Sequence, residues 1–120
     1  MATTKVVTTL DSLVVLTASG ATHTSSIWNL TTGYGGALHI NIMTSGTAPS
    51  TAPSASILAS PDSTTWYSFG GALVATSGTN LTSSWVVPIP IGVQYVEVMT
   101  GGNVLANCVV NIQGTQVTKV

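Results

Sequence analysis

The chain has 120 residues, enough for one domain with its own core. Lys, Arg, Asp and Glu make up only 4% of it and the net charge is −1, where ordinary soluble domains are about 25% charged. Lys5 and Lys119 are the only basic side chains, so there is no patch to neutralise phosphates and nucleic-acid binding is excluded. No apolar run reaches the roughly 18 residues that a membrane-spanning helix needs.

Runs rich in Val, Ile, Thr and aromatics, separated by Gly, Pro, Asn and Ser, predict strand after strand. In chain order they are Lys5–Leu10, Ser12–Ala18, Ser25–Leu30, Ala37–Met43, Ala55–Ala59 and Thr65–Phe69. Leu73–Thr76, Leu81–Val87, Val93–Thr100, Val104–Ile112 and Thr115–Val120 follow. Helical periodicity and helix start and stop signals are absent. The fold class is all-β.

Alternation assigns the faces. Leu38, Ile40 and Ile42 fall on one side of their run and His39 and Asn41 on the other. Val104, Ala106, Cys108, Val110 and Ile112 likewise share a side, opposite Asn107 and Asn111. Half-buried strands of this kind predict two antiparallel sheets packed face to face, one β-sandwich over residues 1–120. A jelly roll is the expected topology. The immunoglobulin-like alternative lacks its Cys…Trp…Cys pattern.

Between the fourth and fifth runs lies a Pro/Ser/Thr-rich loop at 44–54, with Thr-Ala-Pro-Ser starting at Thr47 and again at Thr51. Pro49 and Pro53 favour extended backbone and remove N–H donors. The loop is read either as a plain connection or as an arm that contacts a partner. Glycines at 33, 35 and 36, 70 and 71, and 101 and 102 lie between strands, without the spacing of a phosphate cradle, and are turn residues.

Titratable groups are scarce: Asp11, Asp62, Glu97, His23, His39 and Cys108. No nucleophile elbow and no metal-ligand pair at His-x-x-x-His or Cys-x-x-Cys spacing is present. We therefore expect no enzyme, no catalytic residue, no cofactor and no metal. Asp62, between Pro61 and Ser63, reads as a turn residue. The lone Cys108 cannot form an internal disulfide, and it lies in an apolar run where an inert, buried thiol is expected. Asp11 breaks the apolar stretch that follows Lys5, which leaves too short a core for a secretory signal. Synthesis in a cytoplasm, without export through a cleaved signal, is the expectation.

Trp66, Tyr67 and Phe69 crowd one short strand. Alternation puts Tyr67 and Phe69 on one side, expected to be the core side, and leaves Trp66 facing a partner. Candidate partner contacts are thus Trp66, Pro49 and Pro53. A surface nearly free of charge suits a subunit packed against neighbours, since unpaired charges are costly to bury and are depleted from interface cores. A homo-oligomer, dimer or trimer, is expected.

Two segments carry a resemblance. Ser60-Pro61-Asp62-Ser63-Thr64-Thr65-Trp66-Tyr67-Ser68-Phe69 resembles the S-x-D-G-x-x-W turn and strand of small β-sandwich virion proteins of tailed bacteriophages. Pro90-Ile91-Gly92-Val93-Gln94-Tyr95-Val96-Glu97-Val98 resembles the P-x-G-V-x-Y-V-x-V strand that often follows it in them. Ser63 stands where glycine is usual in a turn of positive φ. The first pattern is shared with discoidin-like sugar-binding sandwiches. The resemblance implies a virion component. With small size and low charge it implies a decoration, or cement, protein bound to the major capsid protein on the outer shell. The alternative it implies is a tail or fibre module that binds host-surface carbohydrate through its aromatics.

Overall fold

Leu38, Ile40 and Ile42 are fully buried while His39 and Asn41 are exposed, so the expected alternation sets the orientation of a central strand. That strand belongs to a computed structural model that describes residues 4–119. Met1–Thr3, at the start of the expected domain, and Val120, at the end of its last expected strand, lie outside the described residues.

The strands are β1 (Thr4–Leu16), β2 (Thr22–Thr24), β3 (Trp28–Asn29), β4 (Gly36–Thr44) and β5 (Ser54–Ser60). They continue as β6 (Tyr67–Ser68), β7 (Leu73–Val74), β8 (Thr82–Ile89), β9 (Tyr95–Gly101) and β10 (Cys108–Lys119). One sheet has four strands in the order β1-β10-β4-β8. The other has six, with β9 and β5 at its centre: β2 and β3 line the outer edge of β9, and β6 and β7 that of β5. All pairings are antiparallel, and the two sheets pack as the expected sandwich.

The core lies between them. Leu38, Ile40, Ile42, Val110 and Ile112 from the first sheet meet Ala55, Ile57, Val96 and Val98 from the second. Trp28 is 1% exposed and its indole reaches the opposite sheet at Gly114. A Cβ placed on Gly114 would lie 2.5 Å from the ring, so the glycine in the middle of β10 makes room for the tryptophan.

The two runs expected at 5–10 and 12–18 form one strand. At the break expected between them β1 bulges, with register shifts around Asp11 and Leu13 at φ 48°. The displaced Leu13 N–H donates to Asn111 Oδ1 at 2.7 Å, a partner supplied from β10. The last two expected runs also merge, into β10. Val104 does not share their buried side, because Leu105 at φ 81° turns the chain before Cys108 and leaves Val104 exposed. Asn103, fully buried, holds this loop by donating from Nδ2 to the carbonyls of Leu16 at 2.9 Å and Ala106 at 2.8 Å.

Pro49 and Pro53 are buried, which corrects their reading as surface contacts. The 44–54 segment is tied down along its length. Ser77 Oγ donates to the Pro49 carbonyl at 2.9 Å, Ala75 N to the Pro53 carbonyl at 2.9 Å, and Val104 pairs with both Ser50 and Thr51. Its prolines sit inside because a residue without an N–H leaves no donor unpaired there.

Candidate functional site

Loops at one end of a sandwich are the usual place for function, held by strands that need not change. Here the β5–β6 turn, the β8–β9 turn and the β3–β4 loop converge. Leu30 N donates to the Gln94 carbonyl at 2.8 Å, and Gly35 packs against the backbone of Ile89 to Ile91.

Asp62 organises the first of these turns. Its Oδ1 accepts from Ser60 Oγ at 3.0 Å, Thr64 N at 2.9 Å and Thr65 N at 2.8 Å. Those hydrogen bonds, from Thr65, Thr64 and Ser60 in that order of weight, hold the carboxyl below its ordinary value. Ser63 takes φ 62°, the left-handed conformation that glycine usually supplies. Asp62 is a turn residue, as its neighbours imply.

The turn delivers Trp66 and Tyr67. Tyr67 is 60% exposed and, with Ala59, Ser60, Pro61, Gly92, Val93 and Gln94, lines an open depression of about 190 Å³. Trp66 is half-buried. The expected pairing of Tyr67 with Phe69 on the core side is corrected: Phe69 packs against the core and Tyr67 does not. Strand β6 is only two residues long, too short to impose alternation across 66–69. The depression offers an aromatic ring, apolar walls and the Gln94 amide. Such a surface can stack and hydrogen-bond a neutral ring, and the Tyr67 phenol is its titratable side chain.

The remaining titratable groups are dispersed. Sequence reasoning missed that Asp11 and His23 meet. They lie on β1 and β2, in different sheets, and the imidazole Nε2 donates to Asp11 Oδ1 at 3.0 Å. Asp11 is buried and its Oδ2 has no protein partner among the described residues. The pair closes one side of the sandwich. No hydroxyl hydrogen-bonds the His23 ring among the described residues, so the pair lacks the nucleophile of a triad. No residue type in the sequence hints at this contact, because it depends on how the sheets stack.

His39 lies on the outer face of the four-stranded sheet, 3.4 Å from Thr115 Oγ1, in a groove of about 510 Å³ that Lys5, Gly36, Ala37 and Val117 also line. Burial pushes the Cys108 thiol up, away from the reactive thiolate. Burial also raises the Glu97 carboxyl, which lies beside Leu58 on the second sheet. No group of three or more His, Cys, Asp and Glu side chains could hold a metal among the described residues, and no helix is long and apolar enough to cross a membrane.

No protein-family model matches the sequence, and no curated protein matches it. Solved structures do match in three dimensions. The infectious bursal disease virus VP2 subviral particle aligns at TM-score 0.60 and 12% identity, over 96% of this chain and 32% of that one. The SPBc2 prophage-derived protein YomS aligns at TM-score 0.53 and 13% identity, over 98% of this chain and 96% of that one. The K1 cleaved adhesin domain of Lys-gingipain from Porphyromonas gingivalis W83 aligns at TM-score 0.56 and 11% identity, over 82% of this chain and 63% of that one. The chain thus spans under two thirds of the gingipain domain and a third of the VP2 chain. At these identities the likeness concerns the fold: the chain is a β-sandwich similar to adhesin, prophage and viral capsid domains.

Proposed function

We propose that the protein is a structural virion component of a tailed bacteriophage, a decoration protein that binds the major capsid protein on the outer shell and stabilises it. The observation that carries this reading is the alignment with a prophage-derived protein over nearly the full length of both chains. The viral capsid likeness supports it at the level of fold. So do the two virion-type segments, which supply the β5–β6 turn and the β8–β9 turn with most of β9, at one end of the sandwich.

The surface fits the role. With 4% charged residues, little electrostatic repulsion opposes close packing on a lattice. Trp66, half-buried beside the Asp62 turn, is the residue we assign to the shell contact. We also assign the winding to the jelly-roll class. β2 and β3 run end to end along β9, as β6 and β7 do along β5, which reduces the sandwich to eight strand positions in two sheets of four.

One observation favours a second reading. The exposed Tyr67 ring beside a shallow depression is the kind of platform on which sugars stack. On that reading the chain is a tail or fibre module for host-surface carbohydrate. Titrating wild type, Trp66→Ala and Tyr67→Ala against purified shells and a glycan panel separates the two. Shell binding weakened by Trp66→Ala supports decoration. Glycan binding abolished by Tyr67→Ala, without shell binding, supports the fibre module.

A further inference from the structure

A free sheet edge presents unpaired N–H and C=O groups to any strand that approaches, and proteins usually blunt such edges. Three of the four edges here are blunted. Those of the six-stranded sheet are divided between β2 and β3 on one side and β6 and β7 on the other, none longer than three residues. The β8 edge carries Pro88, which has no N–H to offer. β1 differs. From Lys5 opposite Val117 to Thr9 opposite Gln113 its register against β10 runs without a shift, and no described strand pairs with its other side. Val6, Val7 and Thr9 are exposed along it, Val7 by 62%.

We infer that Lys5–Thr9 is a self-pairing edge: it joins the same stretch of a second copy, antiparallel, about a two-fold axis through Val7. Val7 then faces Val7, Val6 faces Thr8, and Lys5 faces Thr9. This centre pairs all five straight residues, whereas moving it one residue either way pairs three. Centring on Lys5 would oppose two ammonium groups; centring on Val7 separates them and places β-branched side chains together, which stabilises cross-strand contacts. Beyond Thr9 the bulge at Asp11 ends the straight edge and limits the pairing to this register. The two four-stranded sheets become one of eight, through an isologous interface. Five residues of ladder bury less than the roughly 1,200 Å² of a standard stable interface, so the dimer is weak and transient. The inference concerns the chain alone and stands whether or not the capsid role does.

Sedimentation equilibrium of the full chain tests it through charge at an exposed position. Thr9→Lys places an ammonium opposite Lys5 of the second copy at two symmetric points, and should weaken the dimer about fivefold. Thr9→Glu should tighten it, and Lys5→Glu combined with Thr9→Lys should restore wild-type association. As a geometric check, Val7→Cys should oxidise to a covalent dimer, while Val15→Cys, exposed on the same strand beyond the bulge, should not. A chain that stays monomeric at millimolar concentration overturns the inference. So does a dimer that ignores the substitutions at Thr9, or a β1 edge protected only when another protein is bound.

Discussion

Ser63 holds a left-handed backbone conformation at φ 62° that glycine would adopt freely. It is exposed and its side chain makes no compensating hydrogen bond among the described residues, so Ser63→Gly should stabilise the fold by about 1 kcal/mol, read as a shift in urea midpoint. Gly114 makes the reverse case. Its missing Cβ is occupied by the Trp28 ring, so Gly114→Ala should destabilise by about 1–3 kcal/mol and perturb the Trp28 fluorescence. Two carboxyls set the acid behaviour, with opposite signs. Asp62 is held below its ordinary 3.8 by the hydrogen bonds of its turn, so the ionised form favours folding. Its contribution is present above pH 3.8 and is lost as pH falls through the lower folded value. Glu97 is raised above its ordinary 4.5 by burial, so its ionised form disfavours folding and stability rises as pH falls towards 4.5. Glu97→Gln should therefore raise the unfolding midpoint at neutral pH, with the difference closing below pH 4.5. A variant equal to wild type at every pH would remove Glu97 from this account.

At the scale of elements, the 44–54 segment changes role. As an arm it could be shortened at little cost to the fold, because closure entropy varies slowly with length. As found, its second Thr-Ala-Pro-Ser contributes the buried Pro53, the Thr51–Val104 bridge and the first residue of β5. Deleting Thr51–Ser54 should thus lower the thermal midpoint markedly, and an undisturbed midpoint would return the segment to the surface. Phe69→Ala should cost about 2 kcal/mol because the ring is half-buried against the core, while Tyr67→Ala should cost less than about 0.5 kcal/mol. Urea unfolding of the two variants decides between this and the alternation read from sequence. What was legible followed from repeated local pattern. Leu38, Ile40 and Ile42 announce their face because β4 is long and paired on both sides. The same logic fails at Tyr67 and Phe69, on a two-residue strand. It fails again at Asp11, where the expected break between two strands is a bulge within one, its displaced Leu13 N–H taken up by Asn111 Oδ1. The Asp62 turn was readable because its partners lie within three residues. The Asp11–His23 contact was not, since it depends on how the two sheets stack.

At the scale of the molecule, the proposed assembly role rests on the low charge and on the β1 edge that no described strand pairs, while the prophage likeness concerns the fold. Among the described residues no three His, Cys, Asp or Glu side chains gather to hold a metal, and the exposed Tyr67 ring borders an open depression beside the loops. The decoration role makes a spatial claim, and electron microscopy of the assembled particle tests it most directly. The account predicts density for this sandwich repeated over the outer capsid surface, at junctions between capsid subunits, with Trp66 on the shell side. Density confined to the tail or its fibres, or particles that lack the protein altogether, would contradict it.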